Sequence, residues 1–327
     1  MSKIILDYQC PIGHVNIINF YIKKFYKDFD KIYLNENISN YVENNKKTTF
    51  LNFPKSLFLK INKLKKIFKK YENTKNVKFF LLSYEPLVIF LLSKIINLKK
   101  FKIFLIEHDN LNLKKKIRLL FIYLLPKNFH HLVYVESAKK FLNTRFNKKN
   151  VYQINLPLIH DTKYGKKIYD KKDELILNLN KINILIPTRH HYKEELILRI
   201  AKENINYDFI VLMKQSNIKK KLFTNIINIK ILEKISDQDL KKFNAIYLPL
   251  DEIIYRYRIS AWLYKAILFK KIVIMDSIDL YKFERSRFPN QVIEYKNKLN
   301  IPLKINTFKD FKRYNQKLIT DLKKIMR

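Results

Sequence analysis

Short apolar runs alternate with helix-like segments along the whole chain. Runs of four to seven apolar residues, such as 77–83 (VKFFLLS), are typical of strands buried on both faces, and apolar residues recur with a period of about 3.6 between them. This alternation predicts βαβ units and parallel sheets. The predicted strands cover residues 3–8, 31–34, 48–53, 77–83, 102–107, 131–136, 182–188, 207–213, 228–234, 244–250, 271–276 and 291–295.

The alternation breaks at residues 159–174 (IHDTKYGKKIYDKKDE), which are polar and lack periodicity. In a chain of 327 residues, longer than a typical domain, such a break predicts a linker between two domains. We expect doubly wound α/β domains over 1–158 and 181–306, joined by a linker over 159–180 and followed by an amphipathic helix over 307–327. In such sheets, ligands bind beyond the carboxyl ends of the strands.

Charge and composition add a question about partners. The chain has 66 Lys and Arg against 29 Asp and Glu, a net charge of +37 that attracts nucleic acid, anionic lipid or phosphorylated substrates. Its abundance of Lys, Ile, Asn, Phe and Tyr is equally typical of an AT-rich genome, so both explanations stay open. Its two glycines, Gly13 and Gly165, exclude the glycine-rich dinucleotide fingerprint and the P-loop.

Cysteine and histidine usage predicts no metal and no cofactor. The single cysteine, Cys10, excludes an intramolecular disulfide and a cysteine-based zinc site. No signal-peptide pattern and no apolar run long enough to span a bilayer is present, so we expect a cytoplasmic protein. Metal-ligand spacing of i, i+4 is missing among His108, His130, His131, His190 and His191.

Ionisable residues cluster where the predicted strand 102–107 ends. Glu107, His108 and Asp109 are adjacent there. Burial of such groups costs free energy unless they are solvated, paired with a partner or part of a functional site. His108 is the best-placed general base because the imidazole pKa lies near neutrality. Asp109 would act as the base or orient the imidazole; alternatively, Glu107 or Asp109 only caps the following helix.

Two other strand ends carry residues for the same rim. Gly13 and His14 follow the first strand, where a glycine lets backbone amides approach a ligand, although an ordinary turn explains them equally well. Tyr84 and Glu85 follow the strand 77–83.

Cations follow the strands of the second half. Arg189 and Lys193 come directly after the strand 182–188, and Lys214 ends the next strand, so all three would face an anionic group.

The segment 255–260 (YRYRIS) precedes a predicted helix that Ser260 would cap. With Arg256 and Arg258 beside the amides of that helix start, it forms a candidate phosphate or diphosphate site. A solvated basic loop with an ordinary serine cap is the alternative.

Residues 54–75 predict a basic amphipathic helix. Two explanations fit: the helix lies on anionic lipid, or its apolar face packs on the sheet. That apolar face consists of Leu57, Ile61, Leu64, Ile67, Phe68 and Tyr71.

These residues make the chain similar to glycosyltransferases of the GT-B type, and most similar to the retaining family 4. The matching features are the loop glycine Gly13, the pair His108-Asp109, the cations Arg189 and Lys193, and the segments YRYRIS and AILFKKIVI. The chain departs from the family where two glutamates are usual, because Tyr257 and Lys265 stand roughly at those positions.

The resemblance implies two Rossmann-like domains facing across a cleft, with a nucleotide-sugar donor held by the second domain and no metal. The acceptor would be a lipid-linked or surface glycan, such as lipopolysaccharide or capsule, and the enzyme would be peripheral at the inner face of the plasma membrane. Together with the residues at the strand ends, this predicts a site that comprises the catalytic residues His108 and Asp109, the donor-binding residues Arg189, Lys193, Lys214, Arg256, Arg258 and Ser260, and the acceptor-side residues Gly13, His14 and Glu85.

Two non-catalytic functions remain as alternatives. The chain could be a degenerate glycosyltransferase-like scaffold, as the missing glutamate pair suggests, or a basic protein that binds nucleic acid or membrane. Nucleic acid is the less expected partner because the lysines are spread along the chain without a recognised binding motif.

Overall fold

A computed structural model describes the chain except at residues 1, 12–13, 44, 109, 160–174, 176, 179, 189–191, 214–222, 224, 234, 277–281, 297 and 303–306. Seven strands in its first half form one sheet, in which every recorded pairing is parallel. These strands are β1 (Lys3–Asp7), β2 (Lys31–Asn35), β3 (Thr48–Leu51), β4 (Lys78–Leu81), β5 (Lys102–Ile106), β6 (His130–Val133) and β7 (Val151–Gln153).

The strand order of this sheet is β3-β2-β1-β4-β5-β6-β7. The order reverses between β1 and β4, so the chain leaves one side of β1 and returns on the other. Such a switch point is where doubly wound sheets bind ligands. The intervening helices are α1 (Val15–Phe25), α2 (Leu57–Lys69), α3 (Pro86–Ile95), α4 (Lys116–Leu124) and α5 (Glu136–Arg145), with short 3-10 helices at Glu36–Tyr41 and Leu98–Lys100.

The second half repeats this plan with six parallel strands in the order β10-β9-β8-β11-β12-β13. The strands are β8 (Ile182–Pro187), β9 (Tyr207–Leu212), β10 (Ile229–Leu232), β11 (Ala245–Leu248), β12 (Ile272–Asp276) and β13 (Val292–Tyr295). The helices are α6 (Glu194–Glu203), α7 (Asp237–Leu240), α8 (Glu252–Tyr255), α9 (Ala261–Leu268), α10 (Lys282–Arg287) and α11 (Phe311–Met326).

The predicted doubly wound α/β class is confirmed. Each of the twelve predicted strands is present, most of them a residue or two shorter than predicted. β7 was not predicted, because VYQ is too short and too polar to form an apolar run. Most of the predicted linker lies outside the described residues.

The chain divides into two compact units with one sheet each. One unit comprises Met1–Gly165, Arg256–Ile259 and Tyr314–Arg327, and the other comprises Lys166–Tyr255 and Ser260–Arg313. Most of α11 and the arginine-rich turn before α9 therefore belong to the first unit. The domain boundaries drawn from the sequence stay a prediction.

Helix α2 packs most of its apolar face on the sheet, which is the second of the two explanations given for residues 54–75. Ile61, Leu64, Ile67 and Phe68 are buried, and the Phe68 ring lies 4.2 Å from that of Phe79 in β4, measured between centroids. The greater part of the apolar face therefore packs on the sheet and is not available to a membrane. The first turn differs, because Leu57, Phe58 and Leu59 remain exposed.

Candidate active site

The end of β1 carries a buried carboxylate that holds the following loop. Asp7 accepts hydrogen bonds from the Cys10 amide at 2.8 Å and from the Ser83 hydroxyl at 3.1 Å. Burial raises its pKa to about 6, although these hydrogen bonds act in the opposite direction. Cys10 itself has φ of 40°, a left-handed conformation that costs a non-glycine residue about 1–2 kcal/mol. Asp7 thus fixes the start of the loop that leads to His14.

The end of β4 is tied to the end of β1. The Glu85 amide donates to the Tyr8 hydroxyl at 2.7 Å, and the Glu85 carboxylate accepts from Lys60 Nζ at 2.7 Å. Glu85 occupies the N-cap position of α3, but its side chain makes no capping hydrogen bond. Its carboxylate is therefore directed to Lys60 in α2.

A buried network supports the segment after β5. Glu107 Oε1 accepts from the Tyr84 hydroxyl at 2.5 Å and lies 2.7 Å from His131 Nδ1 in β6. Burial and the charge of Glu107 raise the pKa of Tyr84 well above its usual value, so the phenol stays a hydrogen-bond donor. Asn110 donates to the Tyr84 carbonyl at 3.4 Å, which ties both ends of the turn that contains His108.

The two predicted histidines of the first unit come together. The rings of His14 and His108 stack with centroids 4.1 Å apart and planes inclined by 26°. The Tyr134 ring, after β6, meets the His108 ring edge-on at 5.7 Å. Both histidines are partly exposed as residues, but both ring nitrogens of His108 are buried, and its ring is in contact with the rings of His14 and Tyr134.

These contacts define a site at the carboxyl ends of β1, β4, β5 and β6. It contains the predicted residues His14, Glu85 and His108, and their assigned roles stay predictions. Gly13 and Asp109, the other two residues assigned to this side, lie outside the described residues. Asp7, Tyr134 and His131 were missed by the sequence reasoning; the tyrosine and the histidine lie inside apolar runs, where nothing marks them as polar partners.

The second unit has its own switch point between β8 and β11. The Lys193 amide donates to the Pro249 carbonyl at 3.1 Å, and Tyr192 forms a bridge with Leu250. Lys193 is therefore held beside the end of β11. Arg189 and Lys214, the other cations predicted for this rim, lie outside the described residues.

Asp276, at the end of β12, is a partly buried carboxylate that was not predicted from the sequence as a site residue. It accepts from the Tyr247 hydroxyl at 2.8 Å and from Arg199 at 2.9 Å. Burial raises its pKa, and the hydrogen bond from Tyr247 and the charges of Arg199 and Lys193 act against that rise. The polar residue that closes the run IVIMD was the only sign of this cluster in the sequence.

The arginine-rich turn is anchored in the first unit. The Tyr257 ring stacks on Phe141 of α5 with centroids 4.3 Å apart, and Ser137 donates to the Arg256 carbonyl at 2.8 Å. Arg256 is exposed and Arg258 is partly buried. Ser260 occupies the predicted N-cap position of α9 but is buried and makes no side-chain capping hydrogen bond, so the predicted serine cap does not form.

Within the described part of the chain, no group of three or more His, Cys, Asp or Glu side chains has the geometry to hold a metal ion. No described helix is both long and apolar enough to cross a bilayer.

Comparison with known proteins gives matches in structure only. No protein-family model and no curated protein matches the chain. A sucrose-phosphate synthase from Thermosynechococcus elongatus matches with a TM-score of 0.61 at 12% identity, covering 100% of this chain and 90% of that one. The chain has the GT-B fold.

Two further solved structures match the chain. A UDP-N-acetylglucosamine 2-epimerase matches with a TM-score of 0.54 at 12% identity, over 91% of this chain and 84% of that one. S. aureus MnaA, in a co-structure with UDP, matches with a TM-score of 0.52 at 13% identity, over 91% and 85%. At such identities the likeness concerns the fold, and membership of the retaining family 4 stays a prediction.

Proposed function

We propose that the chain is a glycosyltransferase that moves a sugar from a nucleotide-sugar donor to a glycan or lipid-linked acceptor. The observation that carries the proposal is the stacked pair His14 and His108, held beyond the ends of β1 and β5 next to a strand-order switch point. That is the position where a doubly wound sheet exposes reactive groups to a ligand. The GT-B fold agrees with this function without deciding it.

In the proposed reaction, an acceptor hydroxyl attacks the anomeric carbon of the donor sugar and the nucleoside diphosphate leaves. His108 would take the hydroxyl proton, with Asp109 either orienting the imidazole or acting as the base. Glu107, Tyr84 and His131 would keep the His108 turn in place, since Glu107 accepts hydrogen bonds from both neighbours.

The departing diphosphate needs positive charge, and the proposal assigns that task to side chains instead of a metal. Cationic groups aimed at a developing negative charge stabilise the transition state in a site that excludes water. Lys193 is one of these groups and is held beside the end of β11. The proposed set is Arg189, Lys193, Lys214, Arg256 and Arg258, with the amides at the start of α9 after Ser260.

The donor class can be tested before any acceptor is known. We expect a uridine nucleotide to bind, because a protein of the same fold, S. aureus MnaA, was solved with UDP. Thermal unfolding with UDP, GDP and CMP, each with and without EDTA, should show stabilisation by one nucleotide that EDTA leaves unchanged. Stabilisation that disappears with EDTA would contradict the metal-independent mechanism.

The reaction class needs a second measurement. Incubation with the nucleotide sugar that binds best, followed by analysis of the sugar and the nucleotide, should give nucleoside diphosphate in amounts that rise when an acceptor is added. An altered sugar formed without an acceptor would assign the site to an isomerase. If no nucleotide binds, the chain is a scaffold with the fold of an enzyme.

We also propose that the protein works at the cytoplasmic face of a membrane, where lipid-linked acceptors are found. The apolar face of α2 does not support this location, because most of it packs on the sheet. Support comes from a different surface of the first unit.

A further inference from the structure

The first unit has a pocket of about 700 Å³ where the starts of α2, α3 and α4 meet. This volume is within the range of small-molecule sites. Among the described residues that line the pocket, Glu85 is the one carboxylate, and it accepts from Lys60 at 2.7 Å. Six cationic side chains line the pocket, which we therefore call the basic pocket: Lys55, Lys60, Lys114, Lys115, Lys116 and Arg118.

The distribution of charge in the basic pocket favours an anion. Lys115 is the N-cap residue of α4, Lys116 begins the helix, and no acidic residue lies in its first turn. Positive side chains at this end oppose the helix dipole, which is stabilised by negative charge there. A phosphate in the pocket would offset the positive charge of these side chains and the positive end of the helix dipole.

Next to the basic pocket, α4 exposes an apolar stripe. Ile117, Leu120 and Leu124 recur at helical spacing on one face, and the Ile117 side chain is 74% exposed. In α4 only Ile122 is buried. An ordinary surface helix buries its apolar stripe in the core, whereas α4 directs it outwards.

The first turn of α2 extends this apolar surface. Of the eleven large apolar side chains with high exposure among the described residues, seven lie on α2 and α4, which both line the basic pocket. Concentrated apolar exposure of this kind marks an interaction surface, in contrast to scattered single residues. These seven side chains, which we call the apolar patch, are Leu57, Phe58, Leu59, Ile117, Leu120, Tyr123 and Leu124.

We propose that the basic pocket and the apolar patch together dock the protein on an anionic membrane. The phosphate of a lipid headgroup would occupy the pocket, and the apolar patch would enter the boundary between headgroups and acyl chains. The combination decides for lipid over nucleic acid, because a nucleic acid would engage the cations and leave the aliphatic stripe of α4 in water. Glu85, an acceptor-side residue, lines this pocket, so the docked lipid would lie beside the acceptor side.

The docking surface adds to the proposed function but does not depend on it. The test of the docking surface uses no sugar donor. A negative result in this test can therefore be distinguished from a failure of the glycosyltransferase proposal. The full chain is sedimented with vesicles of phosphatidylcholine alone, and with vesicles that also contain phosphatidylglycerol. We expect binding to the anionic vesicles that weakens with salt, and little binding to the neutral ones.

Charge variants locate the binding to the pocket. Lys115→Gln/Arg118→Gln should weaken binding to anionic vesicles about 30-fold, since each basic residue near such a surface contributes about fivefold. Lys66→Gln/Lys69→Gln removes the same charge from the exposed far end of α2 and should change binding much less. Equal losses in the two variants would overturn the pocket, because the attraction would then come from the net charge.

Apolar variants test the insertion. Ile117→Ser/Leu120→Ser/Leu124→Ser should weaken vesicle binding at least tenfold, because three exposed side chains lose their contact with the acyl boundary. Ile205→Ser/Ile227→Ser/Ile253→Ser is the matched control, since these side chains are also exposed but lie in the second unit. Unchanged vesicle binding of the α4 variant would overturn the proposal. Binding of an oligonucleotide to the wild-type chain that is lost only in the Lys115→Gln/Arg118→Gln variant would also overturn it, because the pocket would then be a nucleic-acid site.

Discussion

His14 and His108, which are 94 positions apart in the sequence, stack with their ring centroids 4.1 Å apart. His14 is the N-cap residue of α1, which follows the first strand, and His108 follows β5. The contact exists because β1 and β5 flank β4 in a parallel sheet, so their carboxyl ends lie on one edge. In the proposed function the His108 imidazole is the general base, and the stacked His14 ring would restrict its orientation.

Removal of the His108 imidazole should lower turnover by about 10²–10⁴-fold, the usual contribution of a general base. The affinity for the donor nucleotide should stay nearly unchanged, because the proposed donor contacts lie elsewhere. His108→Ala can be compared by kcat and by calorimetry with His130→Ala, which removes an imidazole from the amino end of β6. Normal turnover of His108→Ala would exclude the assigned role.

Glu107 should be essential to the stability of the site. Glu107→Ala leaves Tyr84 and His131 without their shared acceptor, and removal of one partner from a buried pair costs about 3–5 kcal/mol. Tyr84→Phe removes one hydrogen bond and should cost about 1–3 kcal/mol. Urea unfolding measures both variants, and equal, small losses would mean that the network contributes little.

A positioning role predicts a further split between Glu107 variants. Glu107→Gln keeps an acceptor oxygen and should recover part of the kcat that Glu107→Ala loses, with the KM for the donor unchanged in both. If the two variants lose activity only in proportion to their loss of folded protein, Glu107 is structural and does not orient the His108 turn.

Arg258→Ala should raise the donor KM or lower kcat about tenfold or more, the loss of one charge-assisted contact. Tyr257→Ala should have an effect in the same direction, because the ring that stacks on Phe141 anchors this turn. Arg313→Ala, which removes an exposed arginine from α11, is the control for net charge. An Arg258→Ala enzyme with wild-type kinetics would leave the turn as a solvated basic loop.

Asp7 should make the stability of the fold depend on pH. Burial raises its pKa from 3.8 to about 6, so between these values the folded chain holds a proton that the unfolded chain has released. This contribution to stability is complete below about pH 4 and is lost as the pH rises through about 6. Asp7→Asn removes the titration.

The free energy of unfolding of Asp7→Asn, relative to wild type, should therefore increase by about 3 kcal/mol between about pH 3 and pH 7, with most of the change between pH 4 and pH 6. Urea unfolding at several pH values measures this difference, and Asp310→Asn serves as the control for loss of a carboxylate at an exposed position. A difference that does not change with pH would contradict the assigned pKa.

The sequence by itself determined the architecture. Strands buried on both faces must be nearly continuous apolar runs, and crossover helices must be amphipathic, so the alternation of the two periods predicted both parallel sheets. It also marked His14, Glu85 and His108, because charged residues directly after a buried strand lie at the edge of a sheet. β7 was missed because an edge strand of three residues needs no apolar run.

Only the tertiary structure decided which of these groups meet. The spacing of apolar residues does not determine the order of strands in a sheet. For this reason, neither the contact of His14 with His108 nor the pairing of Glu107 with His131 could be predicted from the sequence. The two amphipathic helices show the same limit. α2 and α4 both present apolar residues at helical spacing, yet α2 buries most of its stripe on the sheet and α4 exposes its own. Periodicity shows that a helix has an apolar face, whereas packing determines what that face contacts.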